Sequence, residues 1–110
     1  LDFPANTSLE EMWEKLQSLL GQGRLELQQR TPQRVAHRRG DLVRERGLEI
    51  TAVNQEADGL WVSLRADHGT YIKEFISSDE GRTVPSLAQF LATACTCGLL
   101  DVMEILDEAI

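Results

Sequence analysis

The sequence predicts an α+β fold, a mainly antiparallel sheet with helices on one face. Three observations carry this reading. Leu9, Met12, Trp13, Leu16, Leu19 and Leu20 fall on one helical stripe near the start of the chain. Leu48, Ile50 and Ala52 alternate with polar residues, as do Leu60, Val62, Leu64 and Ala66 beyond the Asp58-Gly59 turn signal. Short apolar clusters after Gly69 and Pro85 suit brief helices rather than further long strands.

The first helix is expected over about Leu9 to Leu20. Thr7-Ser8-Leu9-Glu10-Glu11 resembles a capping box, with Ser8 accepting from the Glu11 backbone and the Glu11 side chain reaching back. Gly21 and Gly23 end it. Leu25 and Leu27 then alternate with polar neighbours, a short strand up to Thr31-Pro32. From Arg34 to Gly47 the pattern fits extended chain and a loose helical turn equally. The hairpin follows, with Trp61, Ser63 and Arg65 on the face opposite Leu60 and Val62. Beyond Gly69 a helix carries Ile72, Phe75 and Ile76, and Asp79-Glu80-Gly81-Arg82-Thr83 breaks it. Pro85-Ser86-Leu87 opens another short helix ending near Leu91. From Ala94 to Ile110 strand alternation at Leu100 and Val102 competes with a helical pattern, and strand is preferred.

A length of 110 residues suits one domain with a modest core. No long apolar run or basic-then-apolar leader is present, so neither a membrane span nor a signal peptide is expected. Residue 1 is Leu rather than Met, which reads as a fragment. Cys95 and Cys97 are two residues apart, too close for an unstrained bridge, and a reducing cytoplasm is the expected setting. Zinc would need four ligands, and His37 and His68 make no zinc spacing with the two cysteines. Two buried strand cysteines are the expectation. No Ser-His-Asp arrangement, P-loop or dinucleotide turn can be argued.

The net charge of −7 speaks against nucleic acid, but its distribution does not. Between positions 24 and 46 lie seven arginines, Arg24, Arg30, Arg34, Arg38, Arg39, Arg44 and Arg46, opposed only by Glu26, Asp41 and Glu45. Arginine offers a forked contact to phosphate. A solvated, salt-bridged face would have the same composition.

Gly69-Thr70-Tyr71-Ile72-Lys73-Glu74-Phe75 is the most specific segment. In extended chain Tyr71 and Lys73 share a face; in a regular helix they lie roughly 200° apart. For a ring and a cation to act together, the helix must begin at about Ile72 or Lys73. By composition alone Tyr71 is a core aromatic and Lys73 a surface cation.

This segment, continued through Asp79-Glu80-Gly81-Arg82-Thr83-Val84-Pro85-Ser86, resembles the tRNA pseudouridine synthases of the Pus-ten family. Gln29-Arg30-Thr31-Pro32-Gln33-Arg34-Val35-Ala36-His37-Arg38-Arg39 resembles that family's arginine-rich segment, and Leu99-Leu100-Asp101-Val102 its closing strand. The resemblance runs in order from about Leu9 to Met103. The core Gly-Thr-Tyr-Ile followed by a cation also recurs in TruB-type synthases.

The resemblance implies an isomerase acting on tRNA without metal or cofactor. The uridine is flipped out, its bond from N1 to the ribose is broken, and the base is turned and rejoined through C5. Tyr71 would pack beside the flipped uracil, Lys73 would pair with the catalytic aspartate, and Leu100 would help wall the pocket. Arg30, Arg34, Arg38 and Arg39 would contact phosphates. The family's aspartate lies in a Gly-Arg-Glu-Asp-like segment before the arginine-rich run, and nothing here matches it. The chain therefore reads as the C-terminal part of a catalytic domain, without its nucleophile, from an archaeal-type enzyme acting on the tRNA T-loop. Its rivals are a stand-alone RNA-binding module and a small structural α+β domain.

Overall fold

Ser8 starts the first helix, α1 (Leu9–Gln17), its side chain accepting from the Glu11 N–H at 3.2 Å. In this computed structural model, which describes residues 1–35, 42–57, 59–98 and 100, only that half of the expected capping box forms. The Glu11 carboxylate turns instead to Lys15, 3.5 Å away. The helix is also shorter than expected. Leu19 and Leu20 donate to Leu16 and Gln17, so the last apolar residues of the stripe close tighter turns rather than a further helical turn. Gly21, at φ 83°, completes the exit.

Four strands follow: β1 (Leu25–Arg30), β2 (Val43–Glu56), β3 (Gly59–Ala66) and the two-residue β4 (Thr83–Val84). They form one antiparallel sheet in the order β3-β2-β1-β4. β1 ends at Arg30, one residue before the expected limit, because Thr31 turns to bond Leu42 through both its backbone and its hydroxyl. The open choice between Arg34 and Gly47 is decided from Val43 on, where the chain is strand.

The hairpin forms with one departure. Leu48 and Ile50 face the core, but the register shifts between Ile50 and Ala52. A bulge displaces alternation by one position. Val53 is therefore buried and pairs with Val62, while Ala52 moves off the core face. Without the shift, the second half of β2 would turn its apolar face to solvent.

Two short helices, α2 (Ile72–Ser77) and α3 (Leu87–Leu91), complete the layer over the sheet. Ser86 and Gln89 make a complete capping box at the start of α3. Met12 and Leu16 of α1, Phe75 and Ile76 of α2, and Leu87 and Leu91 of α3 join Leu27, Leu48, Ile50, Val53 and Leu60 in one core cluster. The fold is α+β, an antiparallel sheet with helices on one face. Each such side chain contributes roughly 1.5–3 kcal/mol by leaving water. Lys15 ties the layer together by donating to the Leu91 carbonyl at 3.0 Å.

Cys95 is buried and Cys97 half-buried, both as free thiols, and burial pushes the Cys95 thiol up to about 11. They do not lie in a strand as expected. Thr96 between them makes an isolated bridge to Asp2. The strand expected at Val102 lies outside the described residues. No helix among the described residues is long and apolar enough to cross a membrane.

Candidate functional site

Residues 67–70 form a tight turn that delivers the Gly69–Phe75 segment to the sheet. Gly69 sits at φ 82°, and Thr70 closes the turn by donating its N–H and hydroxyl to the Asp67 carbonyl, at 3.1 and 2.7 Å. A left-handed residue at this point favours glycine. Asp67 anchors the turn to β2, accepting from the Gly47 N–H at 2.7 Å while its own N–H donates to the Gly47 carbonyl at 2.9 Å. Arg24 grips the same carboxylate with two bonds, at 2.9 and 2.7 Å. Its guanidinium crosses directly over Gly47, where any Cβ would overlap it. These bonds, Arg24 first and Gly47 second, hold the Asp67 carboxyl below the usual carboxylate range.

Tyr71 is the residue before α2, with extended backbone at φ −88° and ψ 98°. Helix formation therefore begins at Ile72, as the functional reading of the motif required. Gln29, 2% exposed on β1, holds the Tyr71 backbone at both ends. Its side-chain nitrogen donates to the Tyr71 carbonyl at 2.9 Å, and its oxygen accepts from the Tyr71 N–H at 3.1 Å. The same nitrogen also donates to Thr83 Oγ1 at 3.1 Å. One buried amide thus does for Tyr71 what a neighbouring strand would do.

Lys73 lies exposed in the first turn of α2, while Glu74 points inward with its side chain 9% exposed. Arg34 donates from Nε to Glu74 Oε1 at 2.7 Å, and its guanidinium lies 5.9 Å from the centroid of the Tyr71 ring. The carboxylate raises the Arg34 affinity for its proton, chiefly through that hydrogen bond. Glu74 Oε2 is buried without a hydrogen-bond partner among the described residues.

After α2 the backbone takes four consecutive left-handed residues, Ser78, Asp79, Glu80 and Gly81, at φ 79°, 48°, 54° and 86°. Side chains costing roughly 1–2 kcal/mol each in that region need external support. It comes from the arginine-rich segment. Asp79 accepts from the Gln33 N–H at 3.1 Å, Glu80 accepts from the Gln33 side chain at 3.0 Å, and Arg82 donates to the Thr31 carbonyl at 2.9 and 2.7 Å. The Arg30 N–H donates to the Arg82 carbonyl at 2.8 Å.

The two distant segments singled out by sequence are therefore one structural unit, joined through Gln29, Thr31, Gln33 and Arg34. Of the expected site residues, Tyr71 and Arg34 are brought together, and Lys73 follows Tyr71 by two residues, exposed in the first turn of α2. Arg30 is exposed on the outer face of β1, and Leu100 is 41% exposed. Arg38 and Arg39 lie outside the described residues. Gln29, Glu74 and Asp67 were missed. The signal for Gln29 was available: alternation places it on the face of Leu25 and Leu27, where a buried amide needs partners. Among the described residues no group of three His, Cys, Asp or Glu side chains could hold a metal ion.

The chain matches the family model described as "Pus10, C-terminal" over residues 5–106. It is similar to the tRNA pseudouridine synthase Pus10 of Methanococcus voltae, 43% identical over 94% of this chain and 19% of that protein. The same-named protein of Methanopyrus kandleri is 43% identical over 86% of this chain and 22% of its own length. That of Archaeoglobus fulgidus is 39% identical over 94% and 28% respectively. The chain spans 19% to 28% of the length of these relatives.

Proposed function

The chain belongs to the Pus10 C-terminal family, and from that premise we propose that it closes the uridine pocket of a tRNA pseudouridine synthase. In this reading the full protein isomerises uridine in the T-loop of tRNA, as an archaeal-type cytoplasmic enzyme. Tyr71 lies against the flipped uracil, and Leu100 adds an apolar wall. Lys73 pairs with a nucleophilic aspartate supplied by another part of the protein. Arg30, Arg38 and Arg39 contact the phosphates, which fix position without reading sequence, while Arg34, expected among them, is ion-paired to Glu74.

The observation that carries this is the clamp of Gln29 on Tyr71. Base flipping asks for a preorganised receptor, since unstacking a base already costs a few kcal/mol. A ring whose backbone is fixed at both N–H and C=O loses little further freedom when the base arrives. The exposed Lys73 beside it is accessible to a partner carboxylate from elsewhere in the protein.

The test pairs two samples. The full-length protein should convert uridine in an unmodified tRNA transcript, read by primer extension after carbodiimide treatment. The 110-residue chain alone should convert none, because it lacks a Gly-Arg-Glu-Asp-like segment. Binding without conversion by the full-length protein would point instead to an RNA-binding module. Conversion by the short chain would require a nucleophile within it.

A further inference from the structure

The arginines of residues 24–46 are not equivalent once folded. Arg24 is taken by Asp67 and Glu26, and Arg34 by Glu74. Arg44 and Arg46 differ. Arg44 donates to the Thr31 hydroxyl at 3.4 Å, and Arg46 to the Glu45 carbonyl at 2.7 Å, both neutral acceptors. Neither has a carboxylate within ion-pairing distance among the described residues.

Their placement follows from the register. Leu27 pairs with Arg46 and Gln29 with Arg44. Directly opposed residues of an antiparallel pair share a face. Both arginines therefore stand on the core-facing side of the sheet, half-buried, beyond the point where Leu48 ends the apolar part of β2. That is also the side on which Gln29 holds Tyr71. Arg46 lies within 3.6 Å of where a Gly69 side chain would begin, and its Nε is buried without an acceptor. A Cβ at 69 would meet that guanidinium in ordinary van der Waals contact.

We propose that Arg44 and Arg46 form a phosphate-binding pair on the inner face of the sheet, gripping the RNA backbone beside the nucleotide held at Tyr71. This rests on the RNA reading above and adds a site to it. The two side chains rise roughly 7 Å apart along one strand, close to the spacing of successive phosphates in an extended single strand. Two guanidiniums on one face, with the Asp67 carboxylate acting on Arg46 at longer range, repel each other, and a bridging polyanion relieves that. Arg34 then belongs to the protein's own packing, and Arg44 and Arg46 add to the charge offered to phosphate.

The experiment uses the full-length protein and an unmodified tRNA transcript, titrated across salt. Arg44→Gln/Arg46→Gln should lower the slope of log affinity against log salt by roughly 1.4–1.8, the loss of two phosphate contacts. Arg44→Lys/Arg46→Lys should keep most of the slope, and its thermal midpoint guards against misfolding. An unchanged slope in the Gln pair overturns the proposal. So does a lost thermal midpoint in both pairs, which would mean that the arginines pair with an acidic surface of the protein. Uridine conversion is scored in parallel. A lowered slope in a protein that converts no uridine keeps the phosphate site and overturns the enzymatic reading. Conversion by wild type with an unchanged slope in the Gln pair does the reverse.

Discussion

The side-chain amide of Gln29 spans the backbone of Tyr71, donating to its carbonyl at 2.9 Å and accepting from its N–H at 3.1 Å. This single contact joins β1 to the entry of α2 and sets where the Tyr71 ring begins. Replacing Gln29 by Leu should leave the Tyr71 N–H unpaired, at about 1–3 kcal/mol, while the carbonyl keeps only its bond from the Phe75 N–H. In the full-length protein, turnover should fall more than tRNA affinity, up to about 100-fold, because the ring is misplaced rather than lost. Gln29→Glu keeps an acceptor for the N–H and should fall between. Thermal unfolding and single-turnover rates check this; a stable variant with unchanged turnover would remove Gln29 from the account.

Arg34 should behave as part of the packing. Arg34→Gln leaves Glu74, 9% exposed, without its ion-pair partner. A fully buried pair broken in this way costs 3–5 kcal/mol, but Arg34 is 59% exposed and its pair is screened, so about 1–2 kcal/mol is expected. Arg34→Gln/Glu74→Gln should recover part of it. A double-mutant cycle in urea measures the coupling, and additive losses would contradict the pairing.

Asp67 makes stability depend on acid. Its folded carboxyl is held below its ordinary value by Arg24 and the Gly47 N–H. A depressed carboxyl contributes stability that is present above its unfolded value and is lost as pH falls through its folded value. Wild type should therefore lose more stability on acidification than Asp67→Asn. The two thermal midpoints should converge below the carboxylate range. Parallel curves from neutral to strongly acid pH would show that Asp67 titrates as it does unfolded.

Gly47 should resist substitution for a reason outside the strand. A Cβ there collides with the Arg24 guanidinium, which must leave Asp67. Gly47→Ala should destabilise by no more than the loss of the exposed Arg24–Asp67 pair, because the displaced guanidinium is the far end of a flexible side chain. Gly47→Ala/Arg24→Ala should cost little more than Arg24→Ala alone. Urea unfolding of the three variants decides it; fully additive losses would contradict the collision.

Local patterns revealed the start of α1, the hairpin and the opening of α2, because each has its own period or cap. What they did not reveal depends on contacts between distant segments. The bulge beyond Ile50 has no local signature, so Ala52 was expected where Val53 is buried. β4 is two residues long and exists only by pairing with Gln28 and Gln29. At the candidate site, the motif singled out Tyr71 and Lys73. Glu74 stood in the motif with no role of its own, because its partner Arg34 comes from forty positions away. Gly47 closed the undecided stretch from Arg34, with no local sign that it makes room for Arg24.

Replacing Lys73 separates a pocket residue from a phosphate contact. If Lys73 pairs with the nucleophilic aspartate, removing it takes away a charge that acts on the reacting site and raises the aspartate's pKa. Single-turnover pseudouridine formation by the full-length protein should fall roughly 100- to 1,000-fold in Lys73→Ala, with tRNA affinity measured separately and little changed. Lys73→Arg should keep substantial activity. If Lys73→Ala weakens tRNA binding and leaves the chemical rate intact, Lys73 is a phosphate contact and the pocket lies elsewhere.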